Sequence, residues 1–101
     1  MKIVTICGSL KFQKEMMFAA QMLSLKGICV LTPVYPVIKD LNISDEQLKF
    51  LKEEHLRRIE LADSIFVINK DDYLGESTLI EIENAKKLKK EIKYYTDYYN
   101  N

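Results

Sequence analysis

The residues best suited to chemistry fall in the stretch Gly75-Glu76-Ser77-Thr78-Leu79-Ile80-Glu81. It follows an apolar run, Ser64-Ile65-Phe66-Val67-Ile68, whose length and β-branched content suit a buried parallel strand. It opens a helical run that continues to Lys90. At such a joint, backbone N–H groups and the positive helix end face the crevice beyond the strand, a natural place for an anion such as phosphate. Gly75 offers a backbone conformation closed to other residues, Ser77 and Thr78 can cap, and Glu81 falls within the first turn. The same letters also describe a plain helix start, because Thr78-x-x-Glu81 fits a capping box. Glu81 shares a helix face with Ala85 and Leu88 and so points toward the packed side, whereas Glu83 points to solvent. A carboxylate turned inward at a crevice needs a reason.

A second joint of this kind carries Gly8-Ser9, after the strand-like run Lys2 to Cys7. It is neither a dinucleotide fingerprint nor a P-loop. The only histidine, His55, lies on the stripe Leu48, Leu51, His55, Ile59 and Ala62, where it is either a packed residue with one satisfied hydrogen bond or a catalyst. Cys7 and Cys29 sit in apolar runs with no partner at metal-ligand spacing and read as reduced core thiols. No metal and no cofactor is expected.

The elements that must position these residues alternate strand and helix. Strand Lys2 to Cys7 leads into a helix with Phe12, Met16, Ala19, Ala20 and Leu23 on one face, which Gly27 stops. A strand from Ile28 to Leu31 follows, then a proline-containing segment, Thr32 to Ile43, placed to fold over the crevice as a lid. Ser44-Asp45-Glu46-Gln47 gives a capping box for a helix running to about Leu61. The third strand is Ser64 to Ile68, the third helix about Thr78 to Lys89, and the fourth strand Ile92 to Tyr95. The tail from Thr96 to Asn101 is either frayed or docked against another subunit. This order predicts one α/β domain over residues 1–101, a three-layer doubly wound (Rossmann/flavodoxin-like) fold with about four parallel strands in the order 2-1-3-4 and about three main helices. Strands one and three are then neighbours, so one ligand can touch both the Gly8-Ser9 loop and the Gly75 to Thr78 loop.

Composition narrows the classes. With 101 residues, 48% of them hydrophobic, the chain can bury one modest core. Fifteen basic and fifteen acidic residues cancel, which argues against a general nucleic-acid or membrane-surface binder. No apolar run reaches the ~20 residues that span a bilayer. The N-terminal run Met1-Lys2-Ile3-Val4-Thr5-Ile6 is too short and strand-like for a signal peptide, so a cytoplasmic location is expected.

Three segments together have a family look. Ile6-Cys7-Gly8-Ser9-Leu10-Lys11, Ala62-Asp63 before the third strand, and Thr78-x-x-Glu81-x-x-x-Ala85 resemble the nucleoside 2-deoxyribosyltransferase superfamily, including the deoxynucleoside 5'-monophosphate N-glycosidases. The resemblance covers nearly the whole chain, and a small, poorly characterised subgroup shares His55-Leu56-Arg57-Arg58-Ile59 and Tyr73-Leu74-Gly75-Glu76-Ser77-Thr78. It implies that Glu81 is a nucleophile toward C1' of a deoxyribose, passing through an oxocarbenium-like transition state and a glycosyl-enzyme. It further implies that Gly8, Ser9 and Lys11 hold a 5'-phosphate, joined by Gly75 and Ser77, with Ser77 and Thr78 helping to keep Glu81 in place. The sequence departs from the characterised branches where His55 replaces an acidic residue and Gly75 an Asp. His55 would then supply the proton to the leaving base, and Asp71 or Asp72 is the candidate for the vacated acidic place.

The favoured expectation is therefore N-glycosidic cleavage of, or deoxyribosyl transfer on, a deoxynucleoside or its 5'-monophosphate. A non-catalytic nucleotide-sensing module of the same fold and a phosphoribohydrolase that releases free base are the alternatives. The expected partner is a small nucleoside or nucleotide, with no nucleic acid and no membrane. The resemblance also implies a homo-oligomer, a dimer or larger, since so small a sheet leaves apolar helix faces uncovered.

Overall fold

The structure, a computed structural model, describes residues 1–99. Strands and helices alternate as β1 (Ile3–Gly8), α1 (Gln13–Leu25), β2 (Cys29–Leu31), α2 (Asp45–Leu61), β3 (Ser64–Ile68), α3 (Glu76–Lys87) and β4 (Glu91–Tyr94). Every strand pairing is parallel, and the order is β2-β1-β3-β4, as the alternation predicts. On β1, Val4 is opposite Val30 on one side and Ser64 on the other, and Gly8 is opposite Ile68.

The two-residue period of the strands divides the core. Val4 and Ile6 of β1 and Phe66 and Ile68 of β3 pack with Phe12, Met16 and Ala19 on the α1 side. Cys7, Ile65 and Val67 turn to the other face, against Ile59 of α2 and Ile82 and Ala85 of α3. Met16, Ile59 and Ile65 are fully buried, each worth about 1.5–3 kcal/mol of transfer free energy. Thr5, also buried, satisfies its hydroxyl by donating to the Arg58 carbonyl at 2.8 Å, which ties β1 to the last turn of α2.

Two helix starts contrast. The Ser44–Gln47 capping box forms in full: Ser44 Oγ accepts from the Gln47 N–H at 3.1 Å and Gln47 Oε1 accepts from the Ser44 N–H at 3.0 Å. The capping box expected on Thr78 and Glu81 does not form. α3 begins two residues earlier, because the Leu79 N–H already bonds the Gly75 carbonyl at 3.0 Å. Gly75 is the N-cap and offers no side chain, Ser77 and Thr78 are helical residues, and Glu81 falls in the second turn. Nor does Gly75 use a glycine-only conformation, since φ is −72° and ψ 167°.

The segment between β2 and α2 has no helix or strand, and Val37 and Ile38 within it are exposed. The described part of the tail packs on the chain's own core rather than fraying. Tyr95 and Tyr99 stack with ring centroids 5.1 Å apart, Tyr99 meets Phe18 of α1 edge-on, and Tyr98 lies 5.8 Å from Phe66 of β3. Asn69 clamps this turn through both amide atoms, at 2.9 and 3.1 Å from Thr96. The remaining tail positions, Asn100 and Asn101, lie outside the described residues. Among the described residues no helix is long and apolar enough to cross a membrane.

Candidate active site

β1 and β3 end side by side, and the segments leaving them wall a cavity of about 410 Å³ at the switch point of the sheet. Gly8 and Ser9 form one wall, Gly75, Ser77, Thr78 and Glu81 another, and His55 a third. Those seven expected site residues therefore converge on one space. Lys11 does not line it: its Nζ lies over the Tyr73 ring, 3.3 Å from the centroid, in a cation–π contact. Asp71 and Asp72 are exposed in a left-handed turn with φ of 55° and 57° and do not reach the cavity. Of the proposed lid, Pro33 and Val34 touch the cavity. Tyr35 packs against the α1-side core, and Tyr73 meets Phe12 edge-on at 5.9 Å, so both tyrosines pack rather than line.

Gly8 is needed for its size. Its φ is 155°, and a Cβ there would sit 3.0 Å from Ile68 Cβ and 3.1 Å from Met16 Cε. At the opposite wall, the first-turn N–H groups of α3 have no side-chain cap, which leaves them open to a ligand.

The floor is a trio of two buried residues and one half-buried. Cys7 from β1, His55 from α2 and Glu81 from α3 bring one sulfur, nitrogen or oxygen atom each to within 4.8 Å of one another. His55 Nε2 and Glu81 Oε1 are 3.7 Å apart, and neither has a hydrogen-bond partner among the described residues. Burial pushes Glu81 up to about 7, opposed by the polar contact of the Cys7 S–H. Burial, then the Arg58 guanidinium, lowers His55 to about 4, against weaker support for its charged form from the Ile6 backbone and Glu54. Burial first, and then the Glu81 carboxylate, raises the Cys7 thiol well above its ordinary value, so it stays an S–H donor.

A thiol, an imidazole and a carboxylate so close have the makings of a zinc-type site. The imidazole is turned the wrong way for it. Arg58 Nη1 lies 3.3 Å from His55 Nδ1, and a guanidinium only donates, so Nδ1 accepts and the ring hydrogen sits on Nε2, the nitrogen facing Glu81. The trio is offered an N–H where a metal needs a lone pair.

Three participants were not singled out from the sequence, Glu54, Arg58 and Lys52, and a fourth, Cys7, was read there as a core thiol. Strand parity could have found Cys7, which shares its face with Thr5. Helical spacing could have found Arg58, three residues from His55 and four from Glu54, with which it forms an ion pair. Lys52 lines the cavity beside Arg58, so the cations at the site come from α2 rather than from the first loop.

No family model matches the sequence, and no curated protein matches it. Solved structures do. A 2-deoxyribosyltransferase from the psychrotolerant bacterium Bacillus psychrosaccharolyticus superposes with a TM-score of 0.72 at 24% identity, over 91% of this chain and 70% of that one. A 2-deoxyribosyltransferase from Leishmania mexicana superposes with a TM-score of 0.70 at 14% identity, over 94% of this chain and 64% of that one. The order of strands, the parallel sheet and the three helices thus make this chain a bearer of the 2-deoxyribosyltransferase fold.

Proposed function

We propose that the chain breaks the N-glycosidic bond of a deoxynucleoside or its 5'-monophosphate, with Glu81 as the nucleophile. The observation that carries this reading is the Glu81 carboxylate itself, half-buried on the floor of a cavity at the sheet's switch point, with one oxygen sealed from solvent and unpartnered among the described residues. The fold shared with two deoxyribosyltransferases supports it.

In this mechanism the ionised carboxylate attacks C1' as the C1'–N bond breaks, and the bonding pair leaves with the base, which takes up a proton. Water or a second base then attacks C1' of the glycosyl ester and returns the carboxylate. The Gly8-Ser9 loop, Ser77, Thr78 and the uncapped amides of α3 form the pole that holds the 5' end of the substrate, with Lys52 and Arg58 as the nearby cations. We assign residues 1–101 to one domain acting in the cytoplasm. Exposed Phe50 on α2 and Leu79 and Ile80 on α3 support assembly into a homo-oligomer.

The test is chromatographic. Wild type incubated with the four deoxynucleosides and their 5'-monophosphates should release free base, with and without an added acceptor base, and Glu81→Ala should release none. Absence of base in every reaction would sink the catalytic reading. One observation favours a second reading, a nucleotide-sensing module: with Glu81 at about 7, the carboxylate is only partly ionised near neutrality. Tight nucleotide binding without turnover would select it.

A further inference from the structure

α2 carries an ordered chain of side chains that ends at the nucleophile. Glu54 pairs with Arg58 Nη2, Arg58 Nη1 reaches His55 Nδ1 at 3.3 Å, and His55 Nε2 faces Glu81 Oε1 at 3.7 Å. The three α2 residues occupy positions i, i+1 and i+4, so a single helical turn sets their geometry. Arg58 is itself anchored twice: its side chain is largely buried, and its carbonyl accepts from Thr5 of β1 at 2.8 Å.

We propose that Arg58 is a positioning residue for His55, holding the ring neutral with its hydrogen on Nε2, so that His55 serves the site as a fixed hydrogen-bond donor rather than as an acid. The reasoning is stereochemical. A guanidinium has five N–H donors and no acceptor, so the nitrogen it meets must supply a lone pair. A neutral imidazole with Nδ1 accepting has its one hydrogen on Nε2. That N–H stands beside the carboxylate of Glu81 and, among the described residues, makes no hydrogen bond, so closing a gap of 3.7 Å by a small shift of either side chain completes the bond when Glu81 is ionised. The same donor remains available to an oxygen or ring nitrogen of a ligand in the cavity. A second hydrogen on the ring has no place: it would point at the Arg58 guanidinium. The groups that face His55 are Arg58 and Glu54 from its own helix, Cys7 and the Ile6 backbone from β1, and Glu81 from α3.

The donor role rests on the glycosidic reading of Glu81, but the ring's state does not, and the experiment reads the ring alone. His55 is the only histidine, so a long-range proton–nitrogen spectrum of uniformly ¹⁵N-labelled protein contains one imidazole. Without substrate, the wild type should show hydrogen on Nε2 and a bare, hydrogen-bonded Nδ1, unchanged from about pH 8 down to about pH 5. Arg58→Met, which keeps the stem and removes the donor and charge, should free Nδ1 so that the ring hydrogen redistributes between the two nitrogens, and Arg58→Lys should restore hydrogen on Nε2. Hydrogen on Nδ1 in the wild type, an imidazolium near pH 6, or an Arg58→Met ring with the wild-type tautomer overturns the proposal. If Arg58→Met does not fold, the wild-type spectrum decides alone, because hydrogen on Nδ1 is incompatible with an Arg58 donor there. Failure to release base, by contrast, leaves this spectrum unchanged and strikes only the catalytic reading.

Discussion

His55 Nε2 and Glu81 Oε1 face each other across 3.7 Å from two different helices, and burial drives the two groups in opposite directions, His55 down to about 4 and Glu81 up to about 7. Between those values the native pair is neutral imidazole and neutral carboxylic acid, whereas an unfolded chain holds imidazolium and carboxylate over much of the same range. Folding therefore moves one proton from histidine to glutamate with little net uptake. Both groups keep a low-dielectric site without an uncompensated charge.

That exchange predicts a hidden pH dependence of stability. A raised Glu81 binds more protons in the native state, so its contribution falls as pH rises from about 4.5 through 7. A lowered His55 binds fewer, so its contribution rises with pH from about 4 to 6.5. The two slopes cancel in the wild type across most of this window. Glu81→Gln should expose the histidine slope, gaining roughly 3 kcal/mol between about pH 4 and pH 7, and His55→Gln should expose the opposite slope with a similar loss. Urea melts of the three proteins at several pH values measure it; parallel curves for all three would refute the exchange.

A second prediction concerns rate. The proposed nucleophile must be ionised, and with Glu81 at about 7 only about a tenth of the free enzyme is active at pH 6 and about half at pH 7. The log of kcat/KM should climb with unit slope to about pH 7 and then level. No fall on the alkaline side is expected from His55, which is already neutral there. A bell centred near pH 6 would instead mean that His55 acts in its charged form.

Cys7 supplies a third. Its S–H is the contact that favours the ionised form of Glu81, so Cys7→Ala should move the acid limb of kcat/KM to higher pH and lower the rate at pH 7 several-fold, with little change well above the limb. The lost sulfur also leaves a small cavity, at a cost of about 1–2 kcal/mol. Cys29→Ala, at a half-buried thiol away from the cavity, should leave the limb in place. An unmoved limb in Cys7→Ala would reduce Cys7 to packing.

Much of this was legible in the sequence. Strand order, the three helices and the Ser44–Gln47 cap follow from hydrophobic period and capping chemistry, because those signals are local. The start of α3 was not, because Thr78-x-x-Glu81 is a capping pattern that the backbone bond from Leu79 to Gly75 pre-empts, freeing Glu81 to face the cavity. The position of Lys11 off the cavity wall was hidden for a related reason: loop sequence does not say that the Tyr73 ring is there to receive its amine. Cys7 needed tertiary contact to gain meaning, and Arg58, though at helical spacing from His55, acts through a ring nitrogen whose hydrogen the sequence does not specify.

The two loop glycines test how the site is held. At Gly8 an added methyl meets Ile68 and Met16 at 3.0 and 3.1 Å in a backbone conformation, φ 155°, that side chains rarely adopt. The neighbours are β3 and the buried face of α1, so relief requires the first loop to move off the sheet. Gly8→Ala should therefore cost about 2–4 kcal/mol in a urea melt and disturb the Ser9 side of the cavity as well. At Gly75 the backbone is ordinary and the nearest atoms, on the Tyr73 ring, are 3.6 Å away. Gly75→Ala should change stability by no more than about 1 kcal/mol and leave α3 where it starts. Equal losses at the two positions would refute the contrast, because neither space nor backbone conformation in the free chain requires glycine at the second loop.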